Sequence, residues 1–184
     1  MQMTSKMIIT GESGSGKTNF CASVVNAVRK GELSRRDIRG ILSPALIRKG
    51  EKVGIQAVNL VTFEHKNLAE LNDDNPGPIS TKRWKFDPKV IAWCNSVFAT
   101  AIPCELLVLD ELGPLEFESN QGFTSGLEAV DSGEYTLALI VVRPFLLDLA
   151  LQRWPDAEVL NVEEIADQRR VVEEIVQRVE GDSD

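Results

Sequence analysis

The eight residues Gly11-Glu12-Ser13-Gly14-Ser15-Gly16-Lys17-Thr18 leave this chain few ways to fold. Their glycines let the backbone turn tightly, so that successive N–H groups and the start of a following helix point at one spot. Such a turn needs a strand to deliver the chain and a helix to carry it away. Both flanks fit. Met7-Ile8-Ile9-Thr10 is a short apolar run suited to a buried parallel strand. After Lys17, the apolar residues Phe20, Val24, Val25 and Val28 keep helical spacing until Lys30-Gly31 brings a basic last turn and a glycine stop. The segment therefore reads as a phosphate loop. The expected nucleotide-binding set is Gly11, Glu12, Ser13, Gly14, Ser15, Gly16, Lys17, Thr18 and Asn19. Lys17 supplies a point charge for the β- and γ-phosphates, and the Thr18 hydroxyl is an expected magnesium ligand.

A magnesium ion needs a carboxylate from a second element. Glu105-Leu106-Leu107-Val108-Leu109 is a continuous apolar run that ends in Asp110-Glu111, the pattern of a central parallel strand presenting acids at its carboxyl end. Asp110 is the expected metal residue, through water, and Glu111 the expected general base for an attacking water. A glutamate in that place also suggests a further strand between the phosphate-loop strand and the aspartate strand. Residues 136–142 are assigned to it, which would bring Arg143 near the γ-phosphate. Arg48 is a second candidate charge stabiliser, set against the reading of a solvated turn residue. Glu116 is a weaker candidate for a magnesium water or for anchoring its loop. Arg83, Trp84, Lys85 and Phe86 offer cationic and aromatic groups that stack on a base, steady a phosphate or simply pack.

The remaining pattern alternates strand and helix, an α/β arrangement. Asp87-Pro88 reads as a helix N-cap and first position, with Val90, Ile91, Cys94, Val97 and Phe98 on one face. Phe123, Leu127 and Val130 mark another helix, 145–151 a third, 158–162 an edge strand, and Val171, Val172, Ile175, Val176 and Val179 a final amphipathic helix. Residues 39–72 differ. Short β-prone runs at 52–56 and 60–63, set apart by Lys49-Gly50-Glu51 and Glu64-His65-Lys66, predict an antiparallel hairpin insert with a slip in alternation near Ala57-Val58. The turn-rich stretch 72–78 is an expected exposed loop, and 180–184 an expected frayed tail. The whole chain is expected to form one domain.

Composition narrows the function classes. At 184 residues, 43% hydrophobic and 26% charged, the chain suits a single globular unit. A formal charge of −8 disfavours a broad grip on nucleic acid, which needs clustered cations. No apolar run reaches the length of a membrane span and no signal-peptide pattern opens the chain, so a cytoplasmic location is expected. The three cysteines, Cys21, Cys94 and Cys104, read as reduced core thiols. With one histidine, His65, a zinc centre or a Ser-His-Asp triad is disfavoured.

Taken together, these features resemble the small P-loop nucleoside-triphosphatases, a family with a human cancer-related member and thermophilic bacterial and archaeal relatives. Residues 11–18 match that family's N-terminal loop, 40–60 are similar to its hairpin segment, and Val108-Leu109-Asp110-Glu111-Leu112-Gly113-Pro114-Leu115-Glu116 is similar to its Asp-Glu-hydrophobic-Gly-x-hydrophobic-Glu block. Glu12 and Ser13 stand where the family often has proline-glycine, and Asn19 where it has a second Thr or Ser. The resemblance implies a three-layer P-loop fold with a RecA-like, mostly parallel sheet. It also implies slow, magnesium-dependent hydrolysis of several nucleoside triphosphates, ATP and GTP among them. Two other readings stay open on residues alone. One is a nucleoside or nucleotide kinase, although no arginine-rich lid is evident. The other is a switch module that binds the triphosphate with hydrolysis incidental. Any protein partner is unknown.

Overall fold

The computed structural model describes residues 4–31, 37–72 and 77–181. Positions 73–76 of the expected exposed loop and 182–184 of the expected tail lie outside them. The strands are β1 (Ser5–Thr10), β2 (Ile38–Leu42), β3 (Ala45–Arg48), β4 (Glu51–Asn59), β5 (His65–Leu71), β6 (Trp84–Phe86), β7 (Cys104–Leu112), β8 (Tyr135–Val142) and β9 (Glu158–Asn161). The helices are α1 (Lys17–Lys30), α2 (Pro88–Phe98), α3 (Pro114–Phe117), α4 (Thr124–Ser132), α5 (Leu147–Arg153) and α6 (Gln168–Glu180). All nine strands join one sheet, ordered β6-β5-β4-β2-β7-β8-β1-β9 with β3 paired to β4.

The parallel part is β2-β7-β8-β1-β9. Its central strands β7 and β8 are almost wholly buried because both faces are covered, whereas the edge strand β9 is exposed or half-exposed. Along β7, Leu106 and Val108 face one core, with Met7, Ile9 and the buried sides of α1 and α6. Leu107 and Leu109 face the other, with Ile8, Ile140 and the buried sides of α2 and α4. That alternation makes three layers, and each fully buried side chain contributes about 1.5–3 kcal/mol relative to exposure. The inserted strand expected at 136–142 is β8, which pairs in parallel with β1 on one side and β7 on the other. Gly40 sits in β2 at a positive φ of 112°, where an added Cβ would overlap the Val108 backbone; only glycine lets β2 lie this close to β7.

Local signals held where the residues dictate the backbone. Asp87 caps α2, its carboxylate accepting from the Lys89 N–H at 2.8 Å, and Pro88 occupies the first turn. The 145–151 helix appears as a 3-10 turn over Pro144–Leu146 followed by α5. The three cysteines are free and buried.

The antiparallel segment departs from the 39–72 expectation at both ends. Residues 38–42 form β2, parallel to β7, and the antiparallel arm runs over 45–86, from β3 to β6. Within it, 60–63 is not a strand. The Asn59 side-chain oxygen accepts from the N–H of Val61 at 2.8 Å and of Thr62 at 3.4 Å, and Phe63 adopts a positive φ of 59°. A carboxamide that captures the amides two and three residues on turns the chain, whatever the β preference of those residues. The second strand of that hairpin is β5 instead. The expected slip is a register shift between Ile55 and Gln56, with Leu68 the extra residue on β5.

Candidate functional site

The carboxyl ends of β1, β7 and β8 and the tip of β2 converge on one cavity of about 840 Å³. At its floor, the chain leaves β1 and turns through residues 11–16 into α1. Gly11 has a φ of 145°, and an added Cβ would stand 2.7 Å from the Ser15 hydroxyl oxygen. Gly16 precedes α1 at a φ of 95°, and no side chain caps the helix. The first amides of α1 thus lack an internal partner and favour an anion. Lys17 is only 5% exposed, its ammonium donating to the carbonyls of Gly11 at 2.7 Å and Glu12 at 2.8 Å. On the outer side, the Glu12 N–H donates to Glu163 at 2.7 Å, which ties the loop to the turn after β9.

Asp110 lies at the end of β7, wholly buried. One carboxylate oxygen accepts from the Thr18 hydroxyl at 3.2 Å and the other from the Ser43 N–H at 2.9 Å, while the Ser43 hydroxyl donates to the Asp110 carbonyl. Burial pushes its pKa up to about 6, against the opposing pull of the Ser43 and Thr18 hydrogen bonds and the Lys17 charge. Among the described residues, no three His, Cys, Asp or Glu side chains cluster as a metal cage. Thr18 and Asp110 are instead a pair of hard oxygen donors in contact, the set that suits a small divalent cation completed by water and phosphate oxygens.

Glu111 and Arg143 form an ion pair, and both line the cavity. β8 lies beside β7, with Val142 opposite Leu112 and a register irregularity between Leu109 and Leu112, so the Arg143 side chain leaves the end of β8 close enough to reach back to Glu111. Glu116 is buried and accepts from the Gly113 N–H at 2.7 Å and the Phe123 N–H at 2.8 Å, closing the 113–123 loop. Burial pushes it up to about 7. Of its two expected roles, the contacts correspond to loop anchoring. Gly122, at a φ of 73°, is required beside it, because an added Cβ would overlap the Glu116 carboxylate.

Of the candidate residues, Ser13, Gly14, Gly16, Lys17, Thr18, Asn19, Arg83, Trp84, Phe86, Glu111, Glu116 and Arg143 line the cavity. Arg48 does not: it sits exposed at the end of β3, and Ile47 and Lys52 take the cavity side of that hairpin. The strand register decides this, since Arg48 pairs with Glu51 at the solvent end of the arm. Three participants have no strong sequence signal. Ser43 is a lone polar residue after an apolar strand, Lys52 one of several cations in the arm, and Glu163 one of two adjacent acids in a loop.

The sequence model of the NTPase family matches residues 6–176. The chain belongs to this family. Among curated relatives, the nucleoside-triphosphatase THEP1 of Methanopyrus kandleri is 26% identical, covering 97% of this chain and 99% of that relative. The THEP1 of Thermococcus kodakarensis is 28% identical over 78% of this chain and 79% of its own length. Among solved structures, a human cancer-related nucleoside triphosphatase superposes with a TM-score of 0.70 at 18% identity, covering 98% of this chain and all of that one. THEP1 from Aquifex aeolicus gives 0.66 at 16%, covering 96% and 99%. The chain shares the P-loop fold of these solved structures. Among the described residues, no helix is long and apolar enough to cross a membrane.

Proposed function

We propose that this NTPase-family enzyme binds a nucleoside triphosphate with magnesium across the phosphate loop and Asp110, and hydrolyses it to diphosphate and phosphate. The observation that carries the reading is the contact between the Thr18 hydroxyl and the buried Asp110 carboxylate, beside Lys17, at the start of an uncapped helix. Residues 11–19 hold the phosphate chain, and the Lys17 ammonium turns from the loop carbonyls to the terminal phosphates. Thr18, and Asp110 through water, would hold magnesium, which would supply positive charge to the phosphates. Water then attacks the γ-phosphorus as the bond to the β–γ bridging oxygen breaks. Glu111 orients that water and takes its proton, while Arg143, freed from Glu111 by the competing anion, stabilises the terminal phosphate. Arg48 has no part in this scheme.

Slow turnover and broad base preference are part of the proposal, as is a single working domain over 1–184. So is a cytoplasmic setting, which suits three free thiols. The names of the THEP1 relatives support the reaction class. Phosphate release with magnesium and a panel of triphosphates, for the native chain, Lys17→Ala and Glu111→Gln, tests it. Release that survives both substitutions overturns the assignment. Release that needs an added acceptor indicates phosphoryl transfer, and tight binding without release a switch.

A further inference from the structure

One cavity has walls of two kinds. Around the phosphate loop they are polar: Lys17, Thr18, Asn19, Glu111 and Arg143. The arm, α2 and the 113–123 loop add an apolar surface, formed by Ile55, Leu68, Phe86, Ile91, Leu115 and Phe123. On the reading given above, the terminal phosphate lies at Lys17, Asp110 and Glu111, which come from other elements than this apolar surface. A phosphate chain gains nothing from that surface, and an attacking water needs no more than its own volume. The cavity, about 840 Å³ in all, is in the range that holds organic ligands, roughly 300–1,000 Å³.

The same compartment carries cations. Lys52 and Arg83 lie against the ring of buried Trp84, at 5.1 and 5.2 Å from its centroid. Among the described residues neither has a carboxylate at ion-pair distance, although the chain carries a formal charge of −8. Burial holds the Lys52 ammonium below its ordinary pKa, with Arg143 and Arg83 repelling it and Glu111 and Asp110 attracting it. A half-buried cation such as Lys52, beside apolar side chains and with exposed Arg83 next to it, is costly alone and is satisfied by an incoming anion.

We propose that this compartment is a second binding site, for a small aromatic molecule bearing a phosphate or carboxylate, with its ring against Phe86 and Phe123 and its anion on Lys52 and Arg83. The site depends on the arm, since Lys52 and Phe86 come from β4 and β6. It rests on the proposed placement of the triphosphate for its position beside the terminal phosphate, but not for its binding chemistry.

Equilibrium dialysis of the full chain tests it, with the phosphate loop saturated by magnesium and a non-hydrolysable triphosphate. The probes are uridine monophosphate and para-hydroxybenzoate, which separate a nucleotide source from an aromatic acid. The expected result is uptake of one equivalent of at least one probe, weakened about tenfold in Lys52→Met and in the exposed-site variant Arg83→Ala, and unchanged in Arg48→Ala. No uptake of either probe overturns the proposal. So does uptake that the triphosphate displaces, since the probe then enters only the phosphate loop. Without triphosphate, Lys17→Ala retains the probe; if hydrolysis also survives that substitution, the hydrolytic reading fails while the second site stands.

Discussion

The phosphate-loop floor and the antiparallel arm face each other across one cavity but are built on opposite principles. The floor is made by parallel strands buried on both faces, and its key groups, Lys17 and Asp110, are enclosed by backbone donors and acceptors. The arm packs Ala57 and Leu68 into the core but exposes Ile47 at its outer end, and two of its cations, Lys52 and Arg83, have no carboxylate partner among the described residues. On the proposed reading, such a buried floor would hold phosphates and metal to within about an ångström, as phosphoryl transfer requires. An arm with exposed strands at its outer end can shape what else enters.

The contrast is broken most severely by testing charge at each side. Lys17→Ala is expected to lower kcat/KM for triphosphate hydrolysis by about a hundredfold or more, whereas Arg48→Ala leaves it within about twofold. Comparable losses from both would mean that the arm, not the floor, carries the reaction.

Asp110 sharpens the comparison through stability. Burial raises its folded-state pKa to about 6, so stabilisation by the protonated form is complete below about pH 4 and is lost as pH rises through about 6. Without metal, Asp110→Asn is therefore expected to gain about 3 kcal/mol of unfolding free energy at about pH 8, and nothing at about pH 4, by urea denaturation. The same variant loses metal-dependent turnover. A smaller effect comes from the loop between floor and arm: Gly122→Ala combines a strained φ with overlap on Glu116 and should cost about 2 kcal/mol. In the arm itself, Asn59→Ala removes the turn-capping oxygen and should cost about 1 kcal/mol, with hydrolysis retained. Hydrogen exchange localised to 59–65 would report that loss.

The same division explains what was legible in the residues. The core was readable because its determinants are local: glycines that demand a tight turn, apolar runs with acids at their ends, and an Asp-Pro cap on α2. The placement of β8 between β1 and β7 followed from the Asp110-Glu111 pair together with a second apolar run ending in arginine. The arm resisted because its strands are short and amphipathic, so one side-chain hydrogen bond outweighs propensity. The Asn59 side chain turned Val61 and Thr62 out of the sheet, together with the Phe63 N–H bond back to the Asn59 carbonyl. In the site, Ser43, Lys52 and Glu163 act through strand register and loop approach, which no spacing in the chain records. Arg48 failed as a cavity residue for the same reason, one position away from Ile47, which lines it.

Hydrolysis in heavy-oxygen water, with the released products weighed by mass spectrometry, tests the central claim most directly. Attack by water on the γ-phosphorus at this site predicts one heavy oxygen in the released phosphate and none in the diphosphate, with no release above background for Lys17→Ala or Glu111→Gln. Label in the diphosphate, or undiminished labelled phosphate from either variant, would contradict it.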